Sequence, residues 1–443
     1  MSTENHVAVI GLGYVGLTLA TVMANAGLTV IGVEKRTDIV ALTKAGQPHF
    51  TEPGLADAMQ RAIAASALTA SSTIDQTQPC STYVITVGTP LNDEGVARTD
   101  MVEAATREVA AAMPPHALII VRSTVKIGTT REVVMPILQA TGKPFDIAMC
   151  PERTLEGKAL QELRKLPQVV GADTQAVRDK ASALFRRLTN SIVQVSSIEA
   201  AEVLKLVDNT YRDVQFAFAN EVARLCEAYE VNASEVIASG KLGYDRTNVP
   251  LPGLVGGPCL EKDPHILSQS AQAKGLRLEI TEASRLINER QPVETTCFIL
   301  AMMQQRRMAP NAKVAMLGMA FKGVPATDDL RGSMSIKVIN ALVAQRPELD
   351  VHIYDPVIDT SILAHQFPHT TSCGDPMDAV RNASVVIIAN NHPALGEHPP
   401  ATLLGLMHPE GFIYDYWNHF SDLSVGNSMA NYFAVGNTHR DTA

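Results

Sequence analysis

A cysteine in a glycine-rich segment is the first candidate for chemistry in this sequence. Cys259 follows Gly256-Gly257-Pro258 and precedes Lys262 and Asp263. The glycines and the proline predict a tight turn that exposes the thiol, and a nearby ammonium or a set of oriented amides favours the reactive thiolate. The segment therefore predicts a covalent nucleophile, although a buried structural cysteine in a glycine turn explains this segment equally well.

A lysine and an asparagine on a predicted helix form the second candidate group. Lys205 and Asn209 are four residues apart in the helical stretch 201–211, so they share one face. An ammonium and an amide that converge on one point are suitable donors for a developing oxyanion, which any thiohemiacetal intermediate requires. Taken alone, the pair is more often an ordinary feature of a surface helix.

A glycine-rich turn near the start of the chain predicts a phosphate-binding site. Gly11-Leu12-Gly13-Tyr14-Val15-Gly16 follows an apolar strand and precedes an Ala- and Leu-rich helix, 17–26. In such a turn Gly11 makes the tight bend, Gly13 admits a pyrophosphate and Gly16 allows the helix to pack closely. The context predicts a dinucleotide-binding domain.

The end of the next strand bears on the choice of dinucleotide. Glu34 stands where a carboxylate accepts a hydrogen bond from a ribose 2′-hydroxyl, which favours NAD. Lys35 and Arg36 follow at once, and basic residues here are also compatible with a 2′-phosphate. The sequence therefore predicts NAD, with NADP as the alternative.

Apolar runs of strand length alternate with helical stretches in the first part of the chain. The predicted strands are 7–10, 29–34, 83–87, 117–121 and 145–149. This alternation is typical of a parallel doubly wound sheet. From residue 198 to about 308 the strand pattern stops, and the stretches 200–230 and 276–307 are predicted helices.

The strand and helix alternation returns near the C-terminus. The predicted strands are 313–318, 350–354, 384–389 and 411–414. The predicted fold class is therefore α/β, with two Rossmann-like, doubly wound parallel-sheet domains joined by a helical central domain. We expect an NAD-binding domain at 1–197, a helical central domain at 198–308 and a C-terminal Rossmann-like domain at 309–443.

Length and charge limit the possible classes. A chain of 443 residues exceeds the size of one ordinary core, so two or three domains are expected. The net charge of −9 argues against nucleic acid or an anionic membrane as a partner, because both usually bind a basic face. The polar N-terminus predicts no secretion signal, and no apolar run predicts a transmembrane helix.

The cysteine pattern indicates a reducing environment. Six cysteines occur singly, without the Cys-x-x-Cys spacing typical of zinc sites or the framework of a disulfide-rich domain. We therefore expect a cytoplasmic protein without a metal site. The five cysteines other than Cys259 are expected to be buried small apolar residues: Cys80, Cys150, Cys226, Cys297 and Cys373.

Taken in order, the motifs of nearly the whole chain resemble those of the UDP-glucose/GDP-mannose dehydrogenase family. They are the Gly11 to Gly16 turn, Glu52-Pro53-Gly54-Leu55, Val87-Gly88-Thr89-Pro90, Ser123-Thr124-Val125 with Gly128-Thr129-Thr130, Cys150-Pro151-Glu152-Arg153, Lys205 with Asn209, the Cys259 loop with Asp263, Gly318 with Phe321-Lys322-Gly323, and Asp329-Leu330-Arg331. The number and order of these motifs make chance agreement improbable.

The resemblance implies an oxidation of the C6 alcohol of a nucleotide sugar by two successive hydride transfers to NAD⁺, without a metal. Cys259 would attack the aldehyde, and the thiohemiacetal would be oxidised to a thioester. The implied catalytic roles are oxyanion stabilisation by Lys205 and Asn209, positioning or activation of water by Asp263 and Thr124, and general base catalysis of thioester hydrolysis by Glu152.

The resemblance also implies two sets of binding residues. The cofactor set is Gly11, Gly13, Tyr14, Val15, Gly16, Glu34, Arg36, Thr89, Thr124 and Arg331. The substrate set is Glu152, Arg153, Glu156, Lys205, Asn209, Arg246, Gly256 and Lys322. Because the family arginine that corresponds to Arg246 comes from a neighbouring subunit, a homodimer or higher homo-oligomer is expected. The resemblance further implies that 198–308 is the dimerisation domain and that 309–443 binds the UDP-sugar.

One motif bears on the sugar. Members that oxidise UDP-glucose usually have Pro-Glu-Phe where this chain has Pro151-Glu152-Arg153. The arginine form is similar to members that act on UDP-N-acetylhexosamines, particularly UDP-N-acetylmannosamine. UDP-N-acetylglucosamine and UDP-glucose are the alternatives.

Two other functions are compatible with parts of the sequence. A single-step dehydrogenase of the 6-phosphogluconate or 3-hydroxyacid kind has a similar first domain, but it needs neither Cys259 nor a second α/β domain. A nucleotide-sugar-binding protein without catalysis has the same fold, since fold does not fix function. It has no need of an intact catalytic set.

Overall fold

The computed structural model describes residues 6–75, 79–420 and 431–438. The chain forms two compact units. The first unit consists of Met1–Asn209 and Lys262–Arg277, and the second of Thr210–Glu261 and Leu278–Ala443. The predicted domain boundaries at 197/198 and 308/309 stay predictions.

Strands of two to five residues form one sheet in each unit. They are β1 (His6–Ile10), β2 (Thr29–Val33), β3 (Leu68–Ser71), β4 (Thr82–Ile85), β5 (Ala117–Val121), β6 (Phe145–Met149), β7 (Gln168–Gly171), β8 (Ile192–Val195), β9 (Lys313–Leu317), β10 (Asp350–Tyr354), β11 (Thr371–Ser372), β12 (Val385–Ile388), β13 (Phe412–Asp415) and β14 (Tyr432–Ala434).

Helices connect the strands and form the middle of the chain. They are α1 (Tyr14–Asn25), α2 (Thr37–Lys44), α3 (Leu55–Ala64), α4 (Asp100–Ala112), α5 (Met135–Gln139), α6 (Ala159–Lys165), α7 (Gln175–Phe185), α8 (Ile198–Ala228), α9 (Ala233–Lys241), α10 (Gly257–Leu260), α11 (Asp263–Gln272), α12 (Glu279–Gln305), α13 (Met334–Gln345), α14 (Thr360–Gln366), α15 (Pro376–Val380) and α16 (Pro400–Leu406). A π-helical turn, Thr130–Val134, precedes α5, and a 3₁₀ helix, Pro393–Gly396, precedes α16.

The first sheet has the doubly wound order that the sequence predicts. Its strands lie in the order β3-β2-β1-β4-β5-β6-β7-β8, and the neighbours pair in parallel except β6 and β7. The runs 82–85 and 117–121 are buried at every position, because helices cover both faces of a parallel sheet. The predicted α/β fold is confirmed, with one antiparallel step.

The second sheet repeats the same arrangement on a smaller scale. Its order is β11-β10-β9-β12-β13-β14, and all its neighbours pair in parallel. Five short strands at or near the sheet margins were not predicted from the sequence. They have two to four residues each and are β3, β7, β8, β11 and β14. A strand this short carries too few residues to show a period, so its pairing is decided by tertiary contacts.

The two long central helices were predicted to within a few residues. Helix α8 contains 31 residues and α12 contains 27. Cys297 lies on α12 and is exposed, so the expectation that it is buried was wrong. The helical period places it on the outer face, which the isolated residue type does not reveal. Among the residues that the structure describes, no helix is long and apolar enough to cross a membrane.

Candidate active site

The turn after β1 has the backbone that a pyrophosphate site requires. Gly11 has a φ of +91°, which only glycine adopts without strain. A Cβ on Gly16 would lie 1.8 Å from the carbonyl oxygen of Gly11, so only glycine fits there, whereas a Cβ on Gly13 would meet nothing within 4 Å. Tyr14 begins α1 and stacks on Phe50 at 3.9 Å between ring centroids. The open space at Gly13 beside the N-terminus of α1 fits the pyrophosphate of NAD.

The acidic residue after β2 is oriented by the same turn. Glu34 Oε2 accepts a hydrogen bond from the backbone N–H of Leu12 at 3.0 Å, and its Oε1 accepts one from the N–H of Arg36 at 3.1 Å. The Arg36 guanidinium pairs with Asp38 at 2.6 Å. Arg36 already has a carboxylate partner, and Glu34 follows β2, where a carboxylate can accept from a ribose 2′-hydroxyl. The geometry therefore favours NAD over a 2′-phosphate.

Side chains join the loops after β4 and β5. Ser123 Oγ donates to the carbonyl of Val87 at 2.6 Å, and Thr89 Oγ1 donates to the carbonyl of Thr124. The two strands are neighbours in the sheet, so their carboxyl ends meet at the same edge. This edge carries Thr89 and Thr124, at the place where doubly wound sheets bind ligands.

The loop after β6 is held by three carboxylates. Glu52 accepts from the N–H groups of Gly157 and Ala159 at 2.6 and 2.8 Å. Glu162 accepts from Leu155 at 2.7 Å, and Glu152 accepts from the two residues that follow it. The loop contains Arg153 and Glu156, so these contacts fix the backbone from which both predicted substrate residues project. Glu52, which entered the sequence analysis only as part of a motif, has this structural role.

A buried arginine holds Glu152. Arg122 donates to Glu152 Oε2 at 2.6 and 3.0 Å, to the carbonyl of Cys150 at 3.0 Å and to the side chain of Gln168 at 2.8 Å. Burial opposes ionisation of Glu152, but Arg122 and the N–H of Thr154 outweigh it and lower the pKa of the carboxyl. Glu152 thus accepts two hydrogen bonds from Arg122 and one each from the N–H groups of Arg153 and Thr154. Such a carboxylate is a weak base, so its contacts favour orientation of water over removal of a proton.

The predicted pair on α8 lies on one buried face. Lys205 and Asn209 are both 7% exposed, and the Asn209 amide donates to Asp263 Oδ2 at 2.6 Å. Lys262 Nζ donates to Asp263 Oδ1 at 2.6 Å, so this carboxylate, 1% exposed, fixes the direction of the amide. The remaining amide hydrogen of Asn209 and the Lys205 ammonium are suitable donors for an oxyanion.

The loop after β6 is also tied to this helix. Arg153 Nε donates to Asp208 at 2.9 Å, one residue before Asn209. The first unit therefore brings together Glu152, Arg153, Lys205, Asn209 and Asp263 through the sheet edge and the start of α8. Sequence analysis missed Asp208, which orients Arg153.

The second unit contains the cysteine turn. Cys259 lies in α10, is exposed and forms no disulfide, whereas Cys80, Cys150, Cys226 and Cys373 are buried. A Cβ on Gly257, which has a φ of +91°, would lie 2.4 Å from the ring of Phe321, and the N–H of Gly257 donates to the carbonyl of Gly332 at 2.8 Å. Close packing against the loop 321–332 explains why glycine precedes the cysteine.

The same loop carries two predicted binding residues. The Lys322 ammonium lies 5.2 Å from the centre of the Phe321 ring, and Arg331 pairs with Asp329 at 2.7 Å. A Cβ on Gly256 would lie 2.3 Å from the carbonyl oxygen of Gly332. The second unit thus groups Gly256 and Cys259 with the Lys322 loop. Arg246 lies outside this group, on an exposed loop where it stacks on Tyr244 at 5.0 Å.

The burial of several charged residues could not be predicted from the sequence. Arg122 ends an otherwise apolar strand run, which was the available signal for a structural charge. Arg285 and Asp213 lie in long helices whose patterns contain many charges, so nothing in the sequence distinguishes them from surface residues. Their burial is a property of the tertiary structure.

A known protein family matches all three parts of this chain. Three domain models of the UDP-glucose/GDP-mannose dehydrogenase family match: the NAD binding domain at residues 5–189, the central domain at 199–290 and the UDP binding domain at 315–422. The solved structure of a UDP-D-ManNAc dehydrogenase from Pyrococcus horikoshii is similar, with a TM-score of 0.87 and 27% identity. It is matched over 98% of this chain and 99% of that chain.

Two curated relatives are similar over most of their length. The UDP-N-acetyl-D-mannosamine dehydrogenase of Pyrococcus horikoshii is 29% identical over 395 residues, 88% of this chain and 90% of the relative. The UDP-glucose 6-dehydrogenase of Haloferax volcanii is 32% identical over 403 residues, 87% of this chain and 91% of the relative. The chain therefore belongs to the UDP-glucose/GDP-mannose dehydrogenase family and is an NAD-dependent oxidoreductase of nucleotide sugars.

Proposed function

We propose that this enzyme oxidises the C6 alcohol of UDP-N-acetylmannosamine to the carboxylate by a covalent route through Cys259. The exposure of Cys259 on a turn that only glycine can form carries the covalent part of the proposal. The relatives named for UDP-N-acetylmannosamine support the sugar, together with the Arg153 motif. The relative named for UDP-glucose makes UDP-glucose an alternative, and UDP-N-acetylglucosamine is another.

The oxidation removes four electrons from the sugar and consumes one water. When bound, NAD⁺ would supply the hydride acceptor for each of the two oxidations. The alcohol first loses a hydride and a proton to give an aldehyde, and the Cys259 sulfur adds to the aldehyde carbon to give a thiohemiacetal. Loss of a second hydride and a proton gives a thioester. Water then cleaves the carbon–sulfur bond, which regenerates the thiol and releases the carboxylate and a proton. A covalent adduct prevents loss of the aldehyde between the two oxidations.

The residues of the first unit stabilise the charges in this sequence. Lys205 and the Asn209 amide donate to the oxygen that becomes negative in the thiohemiacetal. Asp263 holds the Asn209 amide and, with Thr124, positions water. Glu152 belongs to the thioester hydrolysis step, where its hydrogen-bonded carboxylate orients the attacking water.

The proposed binding residues form one set for NAD and one set for the sugar nucleotide. The turn 11–16, Glu34, Thr89 and Thr124 would hold NAD, with contributions from Arg36 and Arg331. The sugar nucleotide would contact Arg153, Glu156, Gly256 and Lys322. Arg153 is already oriented by Asp208, which makes its guanidinium a fixed donor for the N-acetyl sugar.

Reaction stoichiometry tests the covalent route. NADH formed at 340 nm is counted per UDP-N-acetylmannosamine, UDP-N-acetylglucosamine or UDP-glucose consumed, for the wild type, Cys259→Ser and the exposed-cysteine control Cys297→Ser. We expect two NADH per sugar, a loss of about 100-fold or more in rate for Cys259→Ser, and no loss for Cys297→Ser. One NADH per sugar with an active Cys259→Ser enzyme would instead indicate a single-step dehydrogenase.

A stripe of exposed apolar side chains supports the proposed homodimer. Tyr211, Phe218 and Leu225 are spaced by seven residues on α8, and each is more than half exposed. Leu286 and Val293 have the same spacing and exposure on α12. A seven-residue spacing of apolar side chains is typical of helices that pair, and Arg246 would then act in the partner's site.

Light scattering after size-exclusion chromatography tests this assembly. The double variant Phe218→Glu/Leu225→Glu is expected to be monomeric and inactive, whereas Val236→Glu, an exposed site on α9, is expected to remain dimeric. A dimeric double variant would contradict the proposed interface. The cytoplasmic location stays a prediction.

A further inference from the structure

Buried side chains hold both ends of the segment that contains Cys259. At the first end, Asn220 accepts from the N–H of Gly253 at 2.9 Å and donates to its carbonyl at 3.2 Å. At the other end, Arg285 donates through Nη1 to the carbonyl of Leu260, the residue after Cys259. One anchor lies on α8 and the other on α12.

Two further buried side chains connect these anchors. The Asn220 amide donates to Asn288 Oδ1 at 3.0 Å, and the Asn288 amide donates to Asp213 Oδ1 at 2.9 Å. Asp213 Oδ1 also lies 2.9 Å from Arg285 Nη1, so contacts connect all four side chains. All four side chains are at most 2% exposed. Their spacings, 213 to 220 and 285 to 288, place each pair on one face of its helix.

Such an arrangement does not arise from stability alone. A buried ion pair contributes little more than well-packed apolar side chains of the same volume, because both charges lose their hydration. Buried hydrogen bonds to a backbone segment do, however, restrict the arrangement that the segment adopts. Here the restricted backbone is 253–260, which determines where the thiol lies.

We propose that Asn220, Asn288, Asp213 and Arg285 form a positioning relay for Cys259. The relay touches no reacting atom, and it acts by fixing both ends of the nucleophile segment. This inference rests on the proposed nucleophilic role of Cys259. Displacement of the thiol slows capture of the aldehyde, so the second oxidation suffers more than substrate binding.

The test uses Arg285→Lys and Asn220→Ser in a Cys297→Ser background, which removes the other exposed thiol. Arg290→Lys is the matched control, because Arg290 is a half-buried arginine on the same helix that pairs with Glu294 at 3.0 Å and is not one of the four residues. We measure alkylation of Cys259 by iodoacetamide, kcat, KM, NADH per sugar, and thermal unfolding. For both relay variants we expect kcat and alkylation rate to change by about 10-fold or more, KM by about threefold at most, and NADH per sugar to fall below two.

The outcomes separate the relay from the proposed function. If relay variants that unfold like the control keep normal kcat and alkylation, the relay is overturned. If Cys259→Ser itself still yields two NADH per sugar, the covalent function fails, whereas the alkylation rate still reports whether the relay positions the thiol. Should Arg285→Lys fail to fold, Asn220→Ser and the neutral pair Asp213→Asn/Arg285→Gln decide the question by the same measurements.

Discussion

The two sheets place the same residue types at the same topological position and use them differently. Gly11 follows β1 with a φ of +91° and donates to the last residue of β2 at 2.7 Å, while Gly318 follows β9 with a φ of +95° and donates to the last residue of β10 at 2.8 Å. An acidic residue follows each second strand, Glu34 in the first sheet and Asp355 in the second.

The second turn is closed by its own side chains. Asp355 is 6% exposed, and each of its oxygens accepts from two backbone N–H groups: those of Met319, Ala320, Val357 and Ile358. A Cβ on Gly318 would lie 2.7 Å from Asn390, which also donates to the carbonyl of Ala320. The first turn leaves Gly13 open and Glu34 half-buried. The glycine and the acid therefore define the shared fold of the turn, and the space left between them decides whether a dinucleotide enters.

The largest effect on cofactor affinity is expected at Gly16. In Gly16→Ala, the new methyl group meets the backbone of Gly11, so we expect NAD affinity to fall by about 100-fold or more, roughly 2.7 kcal/mol. Titrations with NAD and with UDP on the same protein measure this. In Gly13→Ala the new methyl group meets no protein atom within 4 Å, so this variant is expected to fold normally. Its loss of NAD affinity should be smaller, because the methyl group only hinders the close approach of the pyrophosphate. Unchanged NAD affinity in Gly16→Ala would show that the first turn does not bind the dinucleotide.

Removal of the acid from the second turn is expected to lower the stability of the protein and to leave its NAD affinity unchanged. Asp355→Ala leaves four backbone N–H groups without their acceptor, which should destabilise the second unit by about 3 kcal/mol. Calorimetric unfolding checks this, and NAD affinity should stay normal. Asp375→Ala is the matched control, because Asp375 caps α15 through one bond and its loss should cost about 1 kcal/mol.

Removal of the acid from the first turn should give the opposite result. Glu34→Ala is expected to weaken NAD binding by about 10-fold, the size of one hydrogen bond to a charged group, with little change in unfolding. Asp38→Ala keeps Glu34 but releases Arg36, so NADP binding should improve while NAD binding is retained. If Glu34→Ala destabilises the chain as strongly as Asp355→Ala, the two acids have the same role.

The smallest effect concerns pH and two buried carboxyls of the first unit. The folded pKa of Glu152 lies below the unfolded value near 4.3, so its stabilising contribution is complete above about pH 4.3 and disappears as the pH falls through the folded pKa. Burial raises the pKa of Glu202, which accepts from Gly128 and Thr130, so its contribution has the opposite sign and is lost as the pH rises through the folded pKa.

Thermal unfolding between pH 3.5 and 7 separates these two carboxyls. Glu152→Gln should flatten the acid side of the stability curve, whereas Glu202→Gln should flatten the rise of stability toward lower pH. Identical curves for the two variants would contradict the assigned pKa directions.

Much of the architecture was predictable because it depends on local patterns. Strand runs such as 117–121 and the helices α8 and α12 have enough residues to show their period, and the Gly11 to Gly16 turn has backbone requirements that residue type alone reveals. The short marginal strands, the antiparallel step at β6 and the exposure of Cys297 were not predictable, because each depends on what packs beside it.

For the candidate site, the sequence by itself determined which side chains are present and how they are spaced: Cys259 after two glycines, Lys205 and Asn209 on one helix face, and Glu34 after β2. Only the tertiary structure decided how those side chains are held. Arg122 lies against Glu152, Asp263 fixes the Asn209 amide, and Arg285 reaches the carbonyl after Cys259. The first two contacts join residues that are 30 and 54 positions apart in the sequence, and the third joins residues that are 25 positions apart. Hydrogen bonds across such separations depend on the folded chain, which no local pattern encodes.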